Sequence, residues 1–485
     1  MKDNRIIDYI FPTRIVEQNK VDNALNLLNE QDLQIGLFQN EVVNIKSGGH
    51  IILDFKYEMM GGIRILTFWN IGARASYPIR IRFGESVTET CVELNEKGAC
   101  NDHSVRDMNV SLVPLSDQEF GLTGFRFVRI DNLGELDLPL KAIVAKSIYK
   151  DLKEINSPTF KDKRIQEIYD TCKRTLLLNI QHHIWDGIKR DRLVWIGDME
   201  PEIHAILHVY GHIKEIDASI DFAVANNPIP GWMNGIPSYS LWFLLIIYDV
   251  YMFDKNSSFL NKYLQYMNKI IAQFNQAVDK DGKLNYLNVK GAESDSYFID
   301  WPSSSEEEID KVNANVNLMK YILTRVKKMY EMENIDTSLI NSILIRLEKV
   351  EIRIPKNKAF LAFYYLVKQD DKIYQGLIQD GAKGMSTFIS YYVLKAVSLK
   401  DKEMALKMMK EYYGAMLDRG ATTFFEDFSL DWLEGSSRID EFPKPGEKDL
   451  HGDYGDYCYK GFRHSLCHGW SSGPISLLIE DYLDK

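Results

Sequence analysis

Residues 185–202 read W-D-G-I-K-R-D-R-L-V-W-I-G-D-M-E-P-E. This stretch holds five acids (Asp186, Asp191, Asp198, Glu200, Glu202), three cations (Lys189, Arg190, Arg192) and two tryptophans (Trp185, Trp195). Helical patterns flank it at 160–183 and 201–224, while its own middle keeps no clean period and is broken by Gly187 and Gly197. A segment so rich in charge enters a folded interior only if each ion is paired. It is either a solvated turn or the wall of a polar cavity faced with aromatic rings. Two indoles in one loop favour the cavity.

Downstream, apolar residues recur at three and four. Ile165, Ile168, Tyr169, Cys172, Leu176 and Ile180 form the first such face. Further helices are expected at 203–224, 238–253, 258–278, 306–333, 337–350, 357–367, 385–396, 402–417 and 462–483. Pro201 reads as a first helical position, and Ser305 with Glu308 as a capping box. Short breaks, no fixed period and about ten helices suit a toroid of paired helices or a stacked bundle.

Upstream, 50–55, 63–69, 77–83 and 125–130 are short runs rich in β-branched and aromatic residues. In the third, Ile79, Ile81 and Phe83 alternate with Arg80 and Arg82, and glycine-bearing turns separate the runs. The pattern predicts a β-sandwich over 1–150, with one helical interruption at 20–30, followed by a helical domain over 151–485.

At 485 residues, with 45% apolar and 26% charged content, a large core is readily built. A net charge of −11 and the lack of a basic stripe argue against a nucleic-acid partner. Five scattered cysteines without C-x-x-C spacing read as free thiols in a reducing compartment. The N-terminal sequence shows no apolar signal core, and 241–251, the most apolar stretch, is too short to span a bilayer. The expectation is a cytoplasmic protein without a membrane partner; homo-oligomerisation stays open.

Three other loops gather acids or histidines beside aromatic rings: 297–303 with Asp300 and Trp301, 420–432 with Glu426, Asp427, Asp431 and Trp432, and 463–474 with His464, His468 and Trp470. Paired carboxyls in an aromatic pocket can split a glycosidic bond, one giving a proton to the leaving oxygen and the other attacking carbon or activating water. The simpler reading of Asp186 and Asp198 is ion pairing with Arg190 and Arg192. His204, His208 and His212 share one helix face, and His464 and His468 repeat that spacing. Both sets lack the glutamate of H-E-x-x-H, so no metal and no cofactor is expected. G-W-S-S-G at 469–473 matches a nucleophile elbow by letter, but no strand precedes Ser471.

D-G-I-K-R-D-R-L-V-W-I-G-D (186–198) resembles the D-C-P-x-R-E-R-L-G-W-x-G-D signature of bacterial α-L-rhamnosidases, glycoside hydrolase family 78. R-G-A-T-T-F-F-E-D-F (419–428) resembles that family's G-A-T-T-x-W-E segment, and H-S-L-C-H-G-W-S-S-G-P (464–474) its histidine loop. The resemblance implies an (α/α)6 toroid behind an N-terminal β-sandwich, and release of terminal α-L-rhamnose with inversion. By position it makes Asp191 the general acid and Glu426 the general base. It places Asp186, Arg190, Trp195, Asp198 and His468 around the sugar, and Asp300, Trp301, Trp432 and Trp470 are assigned to the same pocket as substrate-binding. The acid position is Glu in better-known members and Asp191 here, one methylene shorter. The rival readings are another (α/α)6 enzyme, such as an unsaturated uronide hydrolase, and a catalytically silent sugar-binding protein.

Overall fold

The computed structural model describes residues 3–38, 42–69, 76–351, 353–455 and 458–482. Among the described residues seven strands come first: β1 (Ile6–Ile10), β2 (Arg14–Asp22), β3 (Val43–Thr67), β4 (Tyr77–Gly84), β5 (Asp107–Leu112), β6 (Asp117–Asn132) and β7 (Leu138–Tyr149). They form one hydrogen-bonded sheet in the order β1-β7-β3-β6-β4-β5, with β2 on β3. β3 joins two of the expected runs into one long strand. Its register slips against β6 between Asp54 and Met59 and again between Gly61 and Ile63. Those irregularities bend it, and Leu140 of β7 pairs with both Val43 and Thr67 near its two ends. The sheet therefore wraps around its own core of Ile51, Leu53, Ile65, Ile79, Ile81 and Phe125. The alternation seen at Ile79, Ile81 and Phe83 is the inward face of β4.

Twelve α-helices follow among the described residues: α1 (Lys163–Asn179), α2 (Ile196–Val209), α3 (Lys214–Asn226), α4 (Pro237–Asp254), α5 (Ser257–Ala277), α6 (Glu308–Met332), α7 (Ser338–Leu347), α8 (Lys358–Val367), α9 (Asp371–Ile378), α10 (Ser390–Ser398), α11 (Lys402–Asp418) and α12 (Pro474–Tyr482). The even-numbered helices touch in succession, α2 to α4, α6, α8, α10 and α12, and α12 returns to α2. Odd-numbered helices pack outside, α1 on α11 and α12, and α5 on α4 and α7. α4 is apolar on every side and buried from Leu241 through Ile247, as an inner helix must be. It contains the apolar stretch at 241–251, and no helix among the described residues is long and apolar enough to cross a membrane. The five cysteines are all free thiols.

Several expected elements differ. In place of a helix at 20–30, β2 runs through Asp22 and only Ala24–Leu28 winds, as a 3-10 turn. The pattern at 203–224 is two helices, parted where Gly211 takes φ +76°. α2 starts at Ile196, so Pro201 lies inside it. α6 starts at Glu308 with Glu307 as its cap residue and no side-chain cap bond, so the Ser305 capping box is not made. The segment 462–483 is helical only from Pro474; before that it is loop with two 3-10 turns.

The strand region and the helices meet across buried charge. Lys189 Nζ lies 3.1 Å from Glu85 and 3.0 Å from Glu89, both beside β4, and also donates to the carbonyls of Phe462 (2.7 Å) and His464 (2.9 Å). Glu85 in turn accepts from the Ser465 hydroxyl (2.8 Å) and the Leu466 amide (2.6 Å). Lys189→Met leaves two buried carboxyls without their cation, a change expected to cost about 3–5 kcal/mol. Denaturant unfolding measures this; a loss below about 1 kcal/mol, the size of a surface pair, would mean that the junction is held elsewhere.

Candidate active site

Backbone pairing sews the expected loops together. Gly187 and His468 form an isolated antiparallel bridge, and the Gly469 amide donates to the Asp186 carbonyl at 2.7 Å. The amides of Glu426 and His468 donate to the carbonyls of Ser465 (2.9 Å) and Phe424 (3.0 Å). Three segments far apart in the chain thus deliver Asp186, Asp191, Asp198, Glu426 and His468 to one place.

Arg190 organises the centre. Its guanidinium gives one terminal nitrogen to Asp191 Oδ1 (3.1 Å) and the other to both oxygens of Glu426 (3.1 and 2.8 Å). Its Nε donates to the Arg463 carbonyl, and its plane lies 3.5 Å from the Tyr459 ring centroid. Arg190 is therefore occupied by protein groups and holds the two carboxylates, where a sugar contact was expected of it. Because both acids sit on one planar fork, their nearest oxygens are no more than about 8 Å apart.

Glu426 is buried, which alone would raise its pKa. The Arg190 charge, with His468 and the Ser465 amide, outweighs burial and brings it down to about 2. Burial pushes Asp186 and Asp198 the other way, well above the ordinary carboxylate range, helped by one another's charge at Asp186 and by Glu426 at both. Burial lowers His468 to about 4, against the pull of Glu426. The floor is thus two carboxyl groups pushed toward the protonated form and an imidazole pushed toward the uncharged one, whose Nε2 is 3.8 Å from each of Asp186 and Asp198. Such groups both give and accept hydrogen bonds.

Trp195 donates from its indole to Asp191 Oδ2 at 3.3 Å and meets Tyr239 edge-on. Tyr239, unremarked in the sequence, gives its hydroxyl to Asp198 at 3.4 Å. Gly197 makes room for it: a Cβ there would fall 2.3 Å from the Tyr239 ring. Phe298 continues the aromatic chain to Trp301, whose ring is partly exposed. Asp300 is buried under this edge with one oxygen on Ser386 Oγ (2.5 Å), and burial raises its pKa to about 7. Trp470 stands behind Glu426, donating to its carbonyl at 3.1 Å and stacked on Phe388. Trp432 lies a layer further back, buried and stacked on Tyr454, so its ring packs the wall.

Two residues had no signal in the sequence. His103, from the strand region, places Nε2 at 3.6 Å from Asp191. Glu202, in the opening stretch but assigned no role, is fully buried beneath Gly469 with neither carboxyl oxygen bonded among the described residues, and burial and nearby acids raise its pKa. The Ser471 hydroxyl donates to the Phe425 carbonyl and is no nucleophile. His204 and His208 do gather with Glu480, but Lys395 already sits on Glu480 at 2.7 Å, while His212 turns away to Asp254. Burial notwithstanding, Asp249 and Glu480 raise His204 to about 10, so it is a cation already.

A rhamnosidase from Klebsiella oxytoca with rhamnose bound shares this architecture at a TM-score of 0.78, over 99% of this chain and 97% of that one, at 18% identity. The fold is that of the α-L-rhamnosidases. The Streptomyces avermitilis α-L-rhamnosidase complexed with L-rhamnose matches at 0.69 and 12% identity, and the GH78 family rhamnosidase of Bacillus sp. GL1 at 0.67 and 15%. This chain spans 44% and 48% of the length of those two rhamnosidase structures. No family model matches the sequence, and no curated protein does.

Removing the cation tests the electrostatics. A depressed carboxylate pKa contributes stability above its ordinary value of 4.5 that is lost as pH falls toward about 2. In Arg190→Met burial is opposed only by the neighbouring histidines and the Ser465 amide, so Glu426 should titrate well above about 2. Carboxyl-labelled NMR follows it directly; a titration still near 2 would show that Arg190 is not the cause.

Proposed function

We propose that this protein is an exo-acting glycoside hydrolase that releases terminal α-L-rhamnose with inversion, through residues 151–485 arranged as an (α/α)6 toroid behind a β-sandwich at 1–150. The observation that carries the reading is the shared fork: Asp191 and Glu426, remote in sequence, sit on adjacent nitrogens of Arg190. Inverting sites need roughly 6.5–9.5 Å between carboxyl groups for the attacking water; the bound of about 8 Å set by the fork overlaps the lower part of that range, and inversion itself is taken from the family resemblance.

In this scheme Asp191, the more open of the two, protonates the departing oxygen. Glu426, ionised at neutral pH, takes the proton of the water that attacks the opposite face. A carboxylate held near 2 is a weak base. It suffices because water becomes strongly acidic as it bonds to an oxocarbenium-like carbon, so transfer is late. Asp186, Asp198 and His468 hold the ring hydroxyls, and Trp195 and Trp301 offer apolar faces.

The cations separate this reading from a uronide hydrolase. A uronate needs a free positive group, but Lys189 is satisfied by Glu85 and Glu89 and Arg190 by Asp191 and Glu426. Arg192 reaches the carbonyls of Leu122 and His103. A floor with no free cation among the described residues suits a neutral deoxy sugar.

Asp191→Asn and Glu426→Gln should each lower turnover of an aryl α-L-rhamnoside by about 10²–10⁴-fold while rhamnose still binds. NMR of the first product should show the β anomer. Cleavage of an unsaturated uronide instead, or rhamnose binding without any turnover by the unaltered protein, would reject the assignment.

A further inference from the structure

A second hollow, open to solvent on one side, lies away from the carboxylate centre and shares none of its residues. It is a cavity of about 520 Å³ between the strand region and α1, within the size range of small-molecule sites. Phe55, Tyr57 and Met59 of β3 face Leu177 and Leu178 of α1 across it.

Two polar groups in its wall are unmatched. Arg174 of α1 is half-buried with its guanidinium 4.3 Å from the Tyr57 ring centroid. Among the described residues it has no hydrogen-bond or ion-pair partner, and burial pulls its pKa down against the more distant Asp170, one helical turn away. Glu58 is 3% exposed, and among the described residues its Oε1 has no partner. Burial, with Glu85 and Glu89 nearby, pushes it toward the protonated form, which can donate a hydrogen bond. The other charges in the wall have partners: Asp8 accepts from the Tyr149 hydroxyl (2.7 Å), Asp170 from the Gln166 amide (3.1 Å), and Lys173 pairs with Glu154 (2.9 Å).

We propose that this cavity is a second binding site, and that its ligand is a small ring-bearing carboxylate with a hydroxyl substituent. The carboxylate fits the Arg174 fork in the bidentate manner that guanidinium favours. The flat ring fits between Tyr57, Phe55, Met59 and Leu177. The hydroxyl fits the unpartnered Glu58.

The test uses 4-hydroxybenzoate as probe on the full chain, by calorimetry and ligand-observed NMR. Saturable binding of one equivalent, unaffected by excess L-rhamnose, is expected. Binding should fall at least ~10-fold for the uncharged 4-hydroxybenzamide and for Arg174→Gln. Leu177→Trp, which fills the space, should abolish it and stands in if Arg174→Gln loses its cooperative melt. Absence of saturable binding at millimolar probe, equal binding of the amide, displacement by L-rhamnose, or unchanged binding in the folded variants would each overturn the proposal.

Discussion

Two consecutive cations, Lys189 and Arg190, are the constraint on which the structure turns. Neither can be buried alone, because a charge taken out of water without a partner is among the costliest things a fold can do. Lys189 draws Glu85 and Glu89 from the strand region and two carbonyls from the histidine loop. Arg190, one residue on, fixes Asp191 and Glu426. The junction between the strand region and the helices is therefore continuous with the carboxylate centre. His103 belongs to the same logic, since it reaches Asp191 only because that junction is closed.

Around this pair, carboxyl groups of similar intrinsic acidity diverge through environment alone. Glu426 stays ionised beside its guanidinium, whereas Asp186, Asp198 and Glu202 are pushed toward the protonated form by burial and by one another. Glu85, buried but facing Lys189, is raised only to about 7. The packing that enforces this is tight: a Cβ on Gly469 would lie 2.1 Å from Glu202 Cδ. A glycine in the histidine loop is thus required by the acid beneath it rather than by a turn.

The strands and most helices were legible because periodicity reports which face is buried. β4 and α1 show this well, since Ile79, Ile81 and Phe83 on one and Ile165, Ile168 and Cys172 on the other are all buried. Legibility failed where a local pattern was overridden. The break at Gly211 left hydrophobic spacing nearly intact across two helices, and α9 is only eight residues long, too short to show a face. In the site, residue types were readable and their partners were not. Asp186, Asp198 and Glu426 stood out as acids near aromatics, but nothing local shows that Arg190 is consumed by its own protein. Tyr239 and His103 are ordinary residues in sequence, made relevant by contacts that only the tertiary structure creates.

The bond from Ser465 to Glu85 spans 380 residues of chain. At ribosomal speeds of 5–20 residues per second, the two sides of that contact are synthesised roughly 20–75 s apart. Lys189 follows Glu89 by 100 residues, but for the rest of that interval the two acids await a loop that does not yet exist. Their charge keeps the nascent face wet and soluble; only when translation delivers the later segment does the water leave and the acids become part of an interior.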